Sequence, residues 1–265
     1  MEYTGQIKKM HAKLGDEVAY QLPIGDDLVD MNQYIGKEIT FTYQNRIECL
    51  KCGRTTVKSF NQGFCYPCFR DAPEAADWII HPERSQAHLG IEDRDLEFEK
   101  SVQLKPHVVY LSLTSGMKVG VTRDTQVPTR WIDQGAVKAI KLAETPNRYL
   151  AGMIEVSLKD HMADKTNWRK MLMNVYPDVD LIEEKHNTKK LLAEEYHQYI
   201  SKIDEIVDIN FPVTDYPVKV KSIGFDKVPE YTGVLKGIKG QYLLFENGIV
   251  MNIRKHGGYI VSLKD

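Results

Sequence analysis

Cys49-Leu50-Lys51-Cys52-Gly53 and Cys65-Tyr66-Pro67-Cys68 hold all four cysteines of this 265-residue chain, as two C-x2-C pairs twelve residues apart. A two-residue spacing lets one tight turn direct two thiolates at one ion. Gly53 suits such a turn, because glycine accepts positive φ without a Cβ clash. Four thiolates at about 2.3 Å complete a tetrahedral Zn²⁺ shell with no open position, which makes a structural rather than a catalytic site. Three other readings compete with zinc. Two disulfides suit a reducing compartment poorly. A redox C-x-x-C pair does not need a partner pair. Iron–sulfur clusters use four cysteines, usually in other spacings. Residues 49–70 are thus expected to form a zinc knuckle, or zinc ribbon, with Cys49, Cys52, Cys65 and Cys68 as ligands. Its role is to staple a small loop, or beyond that to touch nucleic acid through Lys51, Arg54 and Lys58.

The rest of the composition narrows the class. With 42% hydrophobic and 27% charged residues, the chain has the make-up of a globular protein with a sizeable core. No run approaches the ~18 apolar residues of a membrane span. Met1-Glu2-Tyr3-Thr4-Gly5 lacks a basic-then-apolar signal region. A cytoplasmic protein without a membrane partner is expected. The net charge of −2 gives no overall nucleic-acid signal, but its distribution does. Lys100 to Met173 holds 12 Lys/Arg against 6 Asp/Glu, a net +6, whereas Asp71 to Glu99 holds 2 Arg against 9 acids, a net −7. A basic module beside an acidic connector suits an anionic ligand; unevenly charged solvated surface explains the same counts.

Hydrophobic pattern supplies the coarse order of elements. Gly5-Gln6-Ile7, Val18–Leu22 and Ile39–Tyr43 are short strand words separated by glycine turns. The connector, 71–106, is broken by Pro73, Pro82 and Pro106, and Trp78-Ile79-Ile80 is an apolar patch for docking. His81 and His88 are read as hydrogen-bonded or solvated, since the cysteines already fill a zinc shell. Asp164-Lys165-Thr166-Asn167 leads into Trp168-Arg169, with Thr166 as helix cap. Leu181 to Val207 steps by three and four residues as an amphipathic core helix. Short β words return at Val218–Val220, Thr232–Leu235, Tyr242–Phe245, Ile249–Asn252 and Tyr259–Val261, with Glu246-Asn247-Gly248 as a hairpin turn. Strands this short suggest a small barrel, completed by the N-terminal strands. Arg254, Lys255 and His256 lie on its loops, where they suit phosphate.

Between these parts runs the stretch Val108 to Lys159. Val108–Leu113 and Met117–Val121 flank Thr114-Ser115-Gly116, a hairpin signal. Arg130-Trp131-Ile132 opens a segment through Leu142 that reads loosely as helical. Leu150 to Leu158 is a second helix-like run, and its Glu155 is an acid in an otherwise apolar turn, where an unpaired carboxylate is costly.

This order resembles the GIY-YIG nuclease superfamily. Val108-Val109-Tyr110 resembles its first motif and Lys118-Val119-Gly120 its second. Arg130 matches the helical arginine and Glu155 the metal-binding glutamate. The whole chain also resembles an uncharacterised bacterial family in which such a core follows a four-cysteine zinc motif. Two positions depart from the superfamily pattern. Lys118 stands where the second motif has tyrosine, and Gln134 where many small members have histidine. The resemblance implies a catalytic set of Tyr110, Lys118, Arg130 and Glu155. Glu155 would hold Mg²⁺ or Mn²⁺, Arg130 would stabilise the phosphoryl charge, and Tyr110 would help activate water. A lysine at 118 does that work only with its pKa lowered by burial or neighbouring positive charge. Arg123, Lys138, Trp168 and Arg169 are the nucleic-acid contacts expected around them.

The expected protein is α+β. It has an N-terminal β segment (1–48) paired with a C-terminal β-module (211–265) in a small barrel-like unit. The zinc knuckle (49–70), the acidic connector (71–106) and a GIY-YIG-like αβ core with an added helix (107–210) lie between. The expected function is nucleic-acid binding, DNA or RNA, with metal-dependent phosphodiester cleavage. The alternatives are a non-catalytic RNA- or DNA-binding zinc adaptor and a structural protein-interaction module.

Overall fold

β-Branched and aromatic words at both ends of the chain become strands, and the middle alternates strands with helices. The N-terminal part holds β1 (Glu2–Gln6), β2 (His11–Lys13), β3 (Ala19–Ile24), β4 (Asp27–Asp30), β5 (Glu38–Glu48), β6 (Thr55–Thr56) and the short helix α1 (Tyr66–Asp71). The middle holds α2 (Leu96–Gln103), β7 (His107–Leu113), β8 (Met117–Arg123), α3 (Thr129–Asp133), β9 (Lys138–Thr145), α4 (Arg148–Leu158), α5 (Trp168–Leu172), α6 (Leu181–Leu191) and β10 (Ile206–Asp208). The C-terminal part holds β11 (Lys221–Ile223), β12 (Glu230–Lys239), β13 (Tyr242–Phe245), β14 (Ile249–Asn252) and β15 (Tyr259–Lys264). This computed structural model describes residues 1–162 and 166–265, so the Asp164-Lys165 pair lies outside the described residues. Two compact units result: unit 1 is Met1–Arg70, Leu172–Asn174 and Asn210–Asp265, and unit 2 is Asp71–Met171 and Val175–Ile209.

Unit 1 is built on an eight-stranded sheet of order β1-β15-β5-β12-β13-β14-β11, with β6 paired to β5. Both chain ends thus enter one sheet. β15 lies between β1 and β5, and β12 is on the other side of β5. A barrel was expected here, but the sheet is open. Its last strand, β11, is three residues long and runs parallel to β14, so no ladder carries on to β1. Closure needs long strands with a fixed tilt and stagger. The Val218–Val220 word itself stays outside the sheet, directly preceding β11. Asn247 and Gly248 make the turn between β13 and β14 at φ 56° and 71°, the left-handed values that asparagine and glycine tolerate best. A second sheet, β2-β3-β4, buries Tyr20, Leu22 and Ile24 of its middle strand. Fully buried Lys239 ties in the Leu172–Asn174 segment. Its Nζ donates to Asn174 Oδ1 at 2.7 Å and sits 5.2 Å from the ring centres of Phe211 and Tyr216.

Unit 2 centres on an antiparallel sheet of order β10-β9-β7-β8. Every residue of β7 is buried, as expected of a strand covered on both faces. Val109, Leu111 and Val119 join Ile140 and Leu142 of β9 in a core with Ile154 and Leu158 of α4 and Leu181 of α6. Tyr110 points to the opposite face and meets the Trp131 ring at 5.8 Å. Gly120, directly across the ladder, leaves room for that tyrosine: a Cβ there would stand 2.6 Å from its hydroxyl oxygen. Asn147 caps α4 by accepting from the Leu150 amide at 2.9 Å. The connector lies against α4 at Gly152, where any Cβ would overlap the Pro82–Glu83 backbone.

Three local expectations are corrected in this unit. Residues 130–142 are not one helix: Gly135, at φ 71°, ends α3, and β9 follows, its apolar residues buried by sheet packing. Residues 181–207 are not one helix either. α6 ends at Leu191, a 3-10 segment covers Glu194–Tyr199, and β10 pairs with β9. Leu181, Leu192, Tyr196, Tyr199, Ile200 and Ile206 from successive segments cover one core, while Leu191 and Ile203 of the same rhythm are exposed. At α5, Asn167 rather than Thr166 caps the helix, accepting from the amides of Arg169 and Lys170, while the Thr166 hydroxyl meets that of Thr114 at 3.1 Å.

His107, at the start of β7, makes this unit acid-sensitive. It is fully buried, and its Nδ1–H donates to the Lys105 carbonyl at 2.8 Å. Burial lowers its pKa from 6.5 to about 4, against the pull of that carbonyl and with help from the charges of Arg148 and Arg123. The unfolded chain therefore takes up the proton first on acidification. The stability this neutral histidine provides is complete above pH 6.5 and is lost as pH falls from 6.5 to about 4. The loss is at most about 3 kcal/mol by linkage. Urea unfolding from pH 7 to pH 4 should show the wild type losing that much more than His107→Gln. Equal losses would contradict the assignment.

Candidate functional site

The cysteine site begins at the end of β5. The Cys49 amide donates to the Arg54 carbonyl at 2.9 Å, the Gly53 amide donates to the Cys49 carbonyl at 2.9 Å, and Gly53 sits at φ 69°. This tight turn, clasped by β6 on β5, carries the first pair. The second pair opens α1, where the Phe69 amide donates to the Cys65 carbonyl at 2.9 Å. All four Sγ atoms lie within 4.8 Å of one another. Cys52 and Cys65 Sγ are 3.8 Å apart. A tetrahedron with metal–sulfur bonds of about 2.3 Å has edges of about 3.8 Å, so the donors fit zinc. Burial opposes the Cys49 thiolate, but the backbone of Cys65, Cys52 and Lys51 and the Cys52 thiol hydrogen-bond it and bring its pKa down to about 6. Cys68 moves the other way, through desolvation and the three sulfurs around it. Four sulfurs this close ionise together only around a cation.

The second constellation lies in unit 2. Tyr110 is fully buried, its hydroxyl donating to Gln134 Oε1 at 2.8 Å and also hydrogen-bonded by Arg130. Burial raises its pKa, with Arg130 opposing and Glu155 adding to the rise. Glu155 is half-buried on α4. Desolvation raises its pKa; Lys159, Arg148 and Arg130 act to lower it, and Glu83 reinforces the rise. Arg148 is drawn down to about 10, chiefly by burial, with Glu155 and Glu83 opposing and Arg130 and Arg123 adding. Lys159, Arg148 and Arg130 thus act on the Glu155 carboxylate together with Glu83, and Arg123 acts on Arg148; this excess of positive charge suits a phosphate group.

The sequence-predicted residues fall out as follows. Tyr110, Arg130 and Glu155 act on one another electrostatically, and Arg123 reaches the same group through Arg148. Lys118 lies on the Tyr110 face of the hairpin, opposite Ser112, and is only 6% exposed. Lys138 faces Asp208 of β10 instead, at 3.8 Å. Arg169 stacks on Trp168, 4.3 Å from the ring centre. In unit 1, His256 is buried, accepting from the Phe225 amide at 3.2 Å with its other nitrogen on the Asn252 carbonyl; it is not available to phosphate. His88 stacks on Tyr149 at 4.5 Å.

Two residues of the group were missed. Arg148 donates to the carbonyls of Trp78 and Ile79, at 3.1 and 2.7 Å, and so pins the connector to α4. Its spacing was a usable signal: 148, 152, 155 and 159 lie on one helical face. Glu83, from a 3-10 turn of the connector, had none. It stands 3.5 Å from His81 Nδ1 and 4.0 Å from Lys159 Nζ. Among the described residues, Glu155 belongs to no group of three clustered metal donors; the cysteines do.

Two antiparallel-rich units and a four-cysteine cluster define a mixed α+β protein with a site compatible with zinc. The chain belongs to the family described as protein of unknown function (DUF2797), which matches residues 36–261. No curated protein and no solved structure matches it. No helix among the described residues is long and apolar enough to cross a membrane.

Proposed function

We propose that the protein binds nucleic acid and that unit 2 carries a divergent GIY-YIG-like site for metal-dependent phosphodiester cleavage. The observation that carries this reading is Glu155, half-buried on α4 and acted on by the charges of Lys159, Arg148 and Arg130, with Tyr110 in turn feeling both Arg130 and Glu155. The order of parts speaks for it too: a β-hairpin, a helix bearing Arg130, a strand, then a helix bearing Glu155. Glu155 would hold Mg²⁺ or Mn²⁺, and a divalent ion bound there would supply Lewis-acid polarisation of a phosphate oxygen. Arg130 meets the negative charge of the phosphate, and Arg148, held on the Trp78 and Ile79 carbonyls, adds its positive charge from behind. Arg123 extends the positive surface.

A second reading, nucleic-acid binding without cleavage, has its own support. The Tyr110 hydroxyl is engaged by Gln134 and Arg130 and is fully buried, so it is poorly placed to take a proton from water. Both readings require phosphate contact. Affinity for unrelated sequences should therefore fall as salt rises. Arg130→Glu should weaken all of them alike, by about tenfold or more, as removal of a charge-assisted hydrogen bond does. Lys138→Glu, whose ammonium already faces Asp208, should change little. Absent or salt-independent binding would remove the proposal.

A further inference from the structure

We propose that the cysteine knuckle and the cavity beside it in unit 1 bind an unpaired segment of nucleic acid. The inference deepens the nucleic-acid reading and is independent of the Glu155 group. Residues 49–70 contain Lys51, Arg54, Lys58 and Arg70 and no Asp or Glu, in a chain whose net charge is −2. No residue of α1 is buried. Its aromatic side chains instead face outward, Tyr66 at 56% and Phe69 at 37% exposure. Phe60 stacks on Phe69, centroids 5.8 Å apart and planes at 20°, and meets Tyr66 edge-on at 5.5 Å. A knuckle needed only as a staple has no use for an exposed aromatic cluster.

Lys58 joins this cluster to a cavity of about 530 Å³. Its Nζ lies 5.0 Å from the Phe60 ring centre, and it lines the cavity with Asn61, Gln62, Asp226, Lys255 and Tyr259. That volume is in the range of small-molecule sites, about 300–1,000 Å³. Its chemistry is that of one nucleotide. Lys58 and Lys255 suit a phosphate. The amides of Asn61 and Gln62 offer paired donors and acceptors to a base edge. Asp226 accepts the Tyr259 hydroxyl at 2.8 Å and keeps a second oxygen for a base N–H. The aromatic cluster then offers stacking to neighbouring bases, a sequence-tolerant contribution of about 1–3 kcal/mol per base. Duplexes hide base faces and edges of this kind, so the segment is single-stranded. Acidic peptides match the lysines but leave the aromatic faces and amides without complements.

The test is binding of a short, labelled, mixed-sequence single strand, DNA and RNA in turn. Lys58→Glu/Lys255→Glu and Tyr66→Ala/Phe69→Ala should each weaken it about tenfold or more with zinc content unchanged. Unchanged affinity in both zinc-loaded double variants overturns the proposal. So does equal competition by polyglutamate, which would mark a general acid-binding surface. Ultraviolet crosslinking of the wild-type protein needs no variant to fold: crosslinked peptides from residues 57–69 or 255–259 are expected. Crosslinks confined to unit 2 sink this inference and leave the Glu155 reading standing. No crosslink and no binding at low salt sink both.

Discussion

Replacing Cys65 by serine should reduce zinc from about one ion per chain to near zero and destabilise unit 1 by several kcal/mol. Cys49 and Cys65 are buried, at 1% and 2% exposure, so an ion held by this cluster would be tied to the fold. Structural zinc in small peptides binds with an apparent ~10–16 kcal/mol at neutral pH, and that binding is folding free energy. Here only part of it falls on the sheet, because β5 is also clasped by β15 and β12. The knuckle, by contrast, has little else. Its interior is two cysteines and a pair of turns, and none of α1 is buried. Cys52→Ser should lose the metal equally although Cys52 is exposed, since a closed tetrahedral shell needs all four donors. Elemental analysis of protein purified without added zinc, followed by urea unfolding, makes the test. Thiol titration under denaturing conditions should return four free thiols. A metal-free, fully stable protein, two disulfides, or bound iron would each contradict the zinc site.

The cysteines were legible because their information is local: two residues between ligands dictate a turn, whatever the rest of the chain does. The hairpin of Val108–Leu113 and Met117–Val121 was legible for the same reason, with Thr114-Ser115-Gly116 between β-branched runs. Long-range pairing was not. Nothing in Lys221–Ile223 announces a parallel partner at Ile249–Met251, and that pairing leaves the sheet open rather than closed. β9 was misread because its charged residues Lys138, Lys141 and Glu144 recur every three residues, and a bulge in its pairing with β7 removes the alternation that marks a strand. In the unit 2 site, Tyr110, Arg130 and Glu155 came from a resemblance of short words, whereas Arg148 was readable from helical spacing and Glu83 was not readable at all. Glu83 reaches Glu155 only because Gly152 lets the connector backbone lie against α4. A glycine's lack of a side chain is silent in sequence until its neighbour is known.

The Glu155 carboxylate carries the central claim, and its removal should have the largest kinetic effect. Glu155→Ala deletes the one carboxylate on α4 and leaves Arg130, Arg148 and Lys159 in place, so binding to phosphate should persist or tighten. An ion held by Glu155 would supply several kcal/mol of charge stabilisation at the phosphoryl group, lost with the carboxylate; a loss of about 2.7 kcal/mol is a hundredfold in rate. Single-turnover cleavage of mixed single- and double-stranded DNA and RNA, with Mg²⁺ or Mn²⁺, compares the two proteins directly. The account predicts divalent-dependent cleavage by the wild type, reduced about a hundredfold or more in Glu155→Ala, with nucleic-acid affinity preserved. Cleavage at the same rate by both proteins, or wild-type binding with no cleavage in either metal, would contradict it.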